Sequence, residues 1–279
     1  MDTVTSADGT AIAYERIGDG RPVIIVDGAL CYRAFGPGRP LATALSERFA
    51  VYLYDRRGRG ESTDTQPYSV DREVEDLEAV IRQAGGSACL YGSSSGAALA
   101  FEAASRLDSV ERVAGYEPPF IVDDTWPPAG DAIARIEAHV AAGRRSAAVS
   151  AFLRMVGTPA PAVAIMRLLP VGRKLSVVAH TLPYDLSIVG EYEQGKPLPE
   201  GLWASVTAPA LVMDGGKSPA WMRHGVRAVA YAVPGAQYRT IEGQNHMVSA
   251  GAVAPVLTDF FAAVARQRPA DPAGDRPGG

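Results

Sequence analysis

Gly92-Ser93-Ser94-Ser95-Gly96 follows a short apolar run (88–92) and precedes an alanine-rich stretch (97–106). A G-x-S-x-G run between a buried strand and a helix is the sequence context of a nucleophile elbow. In such a turn the central residue takes a strained backbone conformation, and glycine on either side avoids collision with neighbouring backbone. The turn would lift Ser94 above the sheet at the positive end of a helix, where peptide N–H groups face a developing oxyanion. Read by itself, the run also fits an ordinary Gly/Ser-rich turn. A serine hydroxyl needs a base near neutrality, and the chain has four histidines. His139 and His180 fall in a helical stretch, and His224 in a helix that follows Asp214. His246 comes just after the last strand-like run, in Glu242-Gly243-Gln244-Asn245-His246-Met247. A lone loop histidine is commonly no more than a solvated polar residue, so the elements around it matter.

Continuous apolar runs at 22–27, 50–55 and 88–92 have the character of strands covered on both faces. Between the last two, Val74, Leu77, Val80 and Ile81 recur at helical spacing over 70–84, with acidic residues in the first turns. Residues 2–6 and 11–17 flank Ala7-Asp8-Gly9, a hairpin signal. Further strand-like runs lie at 113–116, 210–214 and 238–241, and a helix is predicted over about 253–265. From 121 to about 208 no strand pattern occurs. Helical patterns at 131–142, 147–156, 162–169 and 176–182 alternate there with proline-bearing breaks, among them Pro159-Ala160-Pro161 and Pro170. The predicted fold class is α/β: a mostly parallel twisted sheet with helices on both faces and an inserted helical cap. The core is expected over 1–120 and 208–268 and the cap over 121–207. A Pro-, Gly- and Asp-rich tail, 269–279, is expected to be disordered.

The elbow combines with two other strand ends, Val26-Asp27-Gly28-Ala29-Leu30 and Asp55-Arg56-Arg57-Gly58-Arg59-Gly60-Glu61-Ser62. Together they resemble the α/β-hydrolase superfamily, in which an H-G-x oxyanion loop, a D-x-R-G-x-G-x-S turn and the elbow follow in that order. The resemblance spans nearly the whole chain. It implies Ser94 as nucleophile, His246 as base, and the backbone N–H groups of Ala29 and Ser95 as the oxyanion hole. Asp27 stands where the superfamily carries histidine. It either biases the site against anionic substrates or simply caps local amides. The superfamily's usual place for the third member, a few residues past the penultimate strand, holds Ser218 here. Two carboxylates can substitute. Glu117 ends the strand after the elbow helix, as in certain haloalkane dehalogenases, and Asp214 ends the next strand. Glu117 is placed ahead of Asp214; either would hold the His246 tautomer and stabilise the imidazolium.

The resemblance implies a serine hydrolase of the carboxylesterase or lactonase kind, acting on a small lipophilic ester, lactone or thioester. A serine nucleophile argues against an epoxide hydrolase or dehalogenase, which need a carboxylate there. Two rival readings are a lyase or cyclase using His246 as base, and a catalytically weak ligand-binding protein, kept open by Ser218. Apolar side chains of the cap region, including Phe120, Trp126, Phe152, Met155 and Tyr184, suggest an apolar pocket.

Composition narrows the partners to a small-molecule substrate. The 279 residues are 47% hydrophobic, enough for a large core, and their formal net charge of −4 with no basic block excludes a typical nucleic-acid binder. No apolar run approaches the roughly 20 residues that span a bilayer, so no membrane association is expected. The N-terminus shows no secretion-signal pattern, and a cytoplasmic location is expected. Two cysteines, Cys31 and Cys89, are too few for a disulfide framework or structural zinc. Neither a metal-ligand cluster nor a nucleotide-binding loop is seen, so no cofactor is expected. Oligomeric state is left open.

Overall fold

The computed structural model describes residues 2–263. Its strands are β1 (Asp2–Thr5), β2 (Ala11–Ile17), β3 (Arg21–Val26), β4 (Phe49–Tyr54), β5 (Ala88–Ser93), β6 (Val110–Tyr116), β7 (Ala210–Gly215) and β8 (Gln237–Ile241). They form one sheet in the order β1-β2-β4-β3-β5-β6-β7-β8. Only the β1–β2 and β2–β4 pairings are antiparallel; the remaining pairs are parallel. The α/β class with a mostly parallel sheet is therefore the observed one.

Side-chain alternation along the apolar strands divides the core into two layers. Ile24, Val26, Leu90, Val113 and Val212 face one side, with helices α2 (Val70–Gln83) and α3 (Ser95–Ala104). Val23, Ile25, Tyr91, Ala114, Leu211 and Met213 face the other side, with α1 (Gly38–Leu45). Each fully buried Val, Leu or Ile contributes about 1.5–3 kcal/mol, so two covered faces explain why these strands read as unbroken apolar runs.

Five helices lie between β6 and β7: α4 (Gly130–Ala141), α5 (Arg145–Met155), α6 (Ala160–Leu168), α7 (Pro170–Val177) and α8 (Leu182–Val189). Ile136, Val149, Leu175, Leu182 and Leu186 give them a core of their own, which also takes in Leu30 from the loop after β3. The helical segment is thereby packed onto that loop. After β7 come α9 (Ala220–Ala232), which joins the α2–α3 layer through Val226 and Val229, and α10 (Ala250–Ala262), which joins α1 through Val253, Leu257 and Phe261.

The structure departs from the sequence expectation at three places. Pro170 does separate two helices, α6 and α7, but it is also the first residue of α7, which begins well before the expected 176, because proline's fixed φ suits a helix's first position. The helix expected over 176–182 is divided instead among the end of α7, a 3₁₀ turn (Ala179–Thr181) and the start of α8. Helix α1 has no counterpart in the sequence pattern, since Pro37, Gly38 and Pro40 crowd its start. The tail expected over 269–279 lies outside the described residues. No described helix is long and apolar enough to cross a membrane.

Candidate active site

The candidate residues come from the carboxyl ends of parallel strands, the edge at which open α/β sheets bind ligands. Ser94 follows β5 with φ 56° and ψ −131°, a left-handed conformation that non-glycine residues seldom hold. The turn is tight enough to explain its glycines. A Cβ on Gly92 would lie 2.1 Å from the Gly96 carbonyl oxygen, and one on Gly96 would lie 2.1 Å from that of Val26. Gly28, in the loop after β3, is also constrained, though less tightly: a Cβ there would stand 2.9 Å from Ser94 Cβ. The Ser94 amide donates to the Tyr116 carbonyl at 2.8 Å, fixing the elbow to β6.

Ser95 begins α3, so its amide has no acceptor within the helix. Cys31 N–H closes a turn onto the Gly28 carbonyl at 3.3 Å, and the intervening Ala29 amide is left outside that hydrogen bond.

Glu117 follows β6 and is fully buried, with φ 49°. Its backbone amide donates to the Met213 carbonyl at 3.0 Å. Its Oε1 accepts from the Gly215 amide at 2.7 Å, and its Oε2 lies 2.8 Å from His246 Nδ1. A carboxylate in that place accepts from Nδ1–H, leaving Nε2 as the acceptor nitrogen. The imidazole is 40% exposed. Its loop is tied down by Tyr116 Oη, which donates to the Asn245 carbonyl at 2.6 Å, and by the Lys217 amide, which donates to the Gln244 carbonyl at 2.8 Å. His246 and Ser93, the neighbour of Ser94, line one small cavity of about 40 Å³. Among the described residues, no hydrogen bond joins Ser94 Oγ to the imidazole, and the ring's one side-chain partner is Glu117.

Asp214 is also fully buried but faces elsewhere. Its Oδ2 accepts from Tyr238 Oη at 2.6 Å and from Arg223 Nε at 3.3 Å. Strand alternation is the reason. Asp214 shares the orientation of Val212, toward the layer containing α9, whereas the cavity beside His246 is lined by Leu41, Tyr91 and Val253 of the opposite layer. Ser218 is buried, and among the described residues its hydroxyl has no partner. The other histidines are engaged away from Ser94: His139 with Arg144 and His224 with Asp123, while burial of His180 lowers its pKa.

Two features were not anticipated. Asp27 is 3% exposed, and neither carboxyl oxygen meets a donor among the described residues. It therefore caps no amide, contrary to one expectation. Burial pushes its pKa up to about 7 against the opposing pull of Arg59 and Arg56, so the fixed negative charge behind the other expectation is absent at mildly acidic pH. The second feature is an ion cluster of Arg56, Arg59, Glu73 and Asp185, every member at most 2% exposed. The arginines belong to the D-x-R-G-x-G-x-S turn of the sequence motif, whereas Asp185 has no motif of its own. Of the apolar side chains expected to shape a pocket, Phe120 lies in the main core, Trp126 stacks on Trp221, and Tyr184 stacks on Tyr68.

The chain belongs to the alpha/beta hydrolase family, whose model matches residues 23–257. An alpha/beta hydrolase from Sphaerobacter thermophilus is 48% identical, with 93% of this chain and 100% of that one covered and a TM-score of 0.86. A thermophilic esterase from Thermogutta terrifontis is 19% identical over 93% of this chain and 97% of that one, with a TM-score of 0.68. The enol-lactonase from Burkholderia xenovorans is 20% identical over 94% and 100%, also with a TM-score of 0.68. At these lower identities the likeness is one of fold.

Proposed function

We propose that the protein is a serine hydrolase that transfers the acyl group of a small lipophilic ester, lactone or thioester to water. The observation that carries this reading is the 2.8 Å contact between Glu117 Oε2 and His246 Nδ1, made at the sheet edge that also bears Ser94. A base oriented by a buried acid beside a strained serine is the arrangement nucleophilic acyl transfer requires.

His246 Nε2 takes the Ser94 Oγ proton as Oγ bonds to the substrate carbonyl carbon. The carbonyl oxygen becomes an oxyanion, held by the Ala29 and Ser95 amides. Collapse re-forms the carbonyl and breaks the bond to the leaving alkoxide or thiolate, which takes the proton from His246. Water then repeats the sequence on the acyl-enzyme, giving the carboxylic acid and free Ser94. Hydrogen bonds between nucleophile and base are often long without substrate and shorten in the Michaelis complex, which accommodates the open Ser94–His246 pair. The helical segment between β6 and β7 serves as the cap over the substrate.

A panel of p-nitrophenyl esters, γ- and δ-lactones and thioesters, run with the wild type and Ser94→Ala, tests the proposal. Turnover of at least one class by the wild type, lowered about 10³-fold or more in Ser94→Ala, is expected. Equal turnover by the two proteins would refute it.

A further inference from the structure

Both amides assigned to the oxyanion hole are tied to one side chain of the helical segment. Asp185 lies in α8 and is 1% exposed. Its Oδ1 accepts from Ser95 Oγ at 2.7 Å and from Arg56 at 2.6 Å; its Oδ2 accepts from Arg59 at 2.6 Å. Arg59 in turn donates to the Gly28 carbonyl at 2.7 Å and to the Cys31 carbonyl at 3.2 Å. Arg56 donates to the Asp27 carbonyl at 3.3 Å.

The Gly28 carbonyl belongs to the same peptide unit as the Ala29 N–H. In a planar trans peptide these two groups point in opposite directions, so a guanidinium held against the carbonyl fixes where the Ala29 N–H aims. Donation from a cation also polarises that peptide and strengthens its N–H as a donor. On the other arm, the bond from Ser95 Oγ restrains the residue supplying the second amide. With Glu73 completing the cluster at 2.6 Å from Arg56, two cations meet two anions and no net charge is buried. Burial of Asp185 opposes its ionisation, but Arg59 and Arg56 hold its carboxyl below the usual range, so it is charged across neutral pH.

We infer that Asp185 is a positioning residue for acyl transfer, setting the direction of the Ala29 amide through Arg59 and restraining Ser95 directly, so that the oxyanion hole is assembled only when the helical segment is docked on the sheet. The inference rests on the serine-hydrolase reading above.

A merely structural Asp185 would change how many molecules are active. A positioning role changes what each active molecule does to an oxyanion. The test therefore counts active sites with a fluorophosphonate and measures kcat per labelled site, KM, and inhibition by a trifluoromethyl ketone, which becomes a tetrahedral oxyanion on attack by Ser94. In Asp185→Asn, kcat per labelled site is expected to fall about tenfold or more, the inhibition constant to rise by a similar factor, and KM to stay within about twofold. Should Asp185→Asn not fold, Ser95→Ala decides: it keeps the amide and the ion cluster, and a smaller loss of about threefold in both readouts is expected. Unchanged kcat per site and unchanged ketone inhibition in the folded variant overturn the inference while leaving the hydrolase reading intact. A wild type that is neither labelled at Ser94 nor active overturns both.

Discussion

Glu117 and His246, 129 residues apart in the chain, meet at 2.8 Å, and the other Glu117 oxygen is held by the Gly215 amide at 2.7 Å. The same carboxylate thus orients the imidazole and anchors the end of the neighbouring strand. Asp214, next to Gly215, is turned to the opposite layer by strand alternation and spends its hydrogen bonds on Tyr238 and Arg223.

Exchanging each carboxylate for its amide separates the two roles. Glu117→Gln is expected to lower kcat by about 10²–10⁴-fold, because an amide can no longer favour the required tautomer or stabilise imidazolium. Asp214→Asn is expected to stay within about fivefold of the wild type in kcat and to show its effect in thermal stability instead. Steady-state kinetics and melting curves on both variants check this. The reverse ranking of kcat would count against the Glu117 assignment.

Stability should decline from mildly acidic to mildly alkaline pH. Burial pushes Asp27 up to about 7 and Glu193 up to about 8. Each group holds its proton more tightly folded than unfolded. Their contribution is therefore complete below about pH 4 and is lost as pH rises through about 7 and 8. Urea unfolding between pH 5 and 8.5 is expected to show stability falling by on the order of 6 kcal/mol. Asp27→Asn and Glu193→Gln, which are neutral throughout, should flatten the slope. A profile identical to wild type in the double variant would contradict this.

Glycine substitutions should diverge sharply with location. Gly96→Ala drives a Cβ to 2.1 Å from the Val26 carbonyl oxygen, whereas a Cβ on Gly251 in α10 meets nothing within 4 Å. The first is expected to cost at least about 3 kcal/mol or prevent folding. The second is expected to stabilise the protein by about 0.5–1 kcal/mol. Chemical denaturation of the two variants gives the comparison.

The sequence was most informative where local pattern and global fold agree. Runs such as 50–55 are apolar on both faces because both faces of β4 are covered, and all six residues of that strand are buried. Glycines 92 and 96 are legible for a similar reason, as their positions admit no side chain. The choice between Glu117 and Asp214 was harder. Both end adjacent strands, and alternation shows only that Asp214 follows Val212; which layer lies beside His246 depends on where α1 and α10 pack. Asp185 was illegible for the same reason. Its partners are 90 to 129 residues distant, and an acidic residue in a helix's first turn ordinarily reads as a solvated favourable charge.

The proposed covalent step at Ser94 is tested most directly by intact-protein mass spectrometry after fluorophosphonate treatment, with the modified peptide mapped. The mechanism predicts one adduct per chain, carried on Ser94, absent from Ser94→Ala and formed in step with loss of esterase or lactonase turnover. An unmodified Ser94 in fully active protein, or complete loss of turnover with the adduct on another residue, would contradict it.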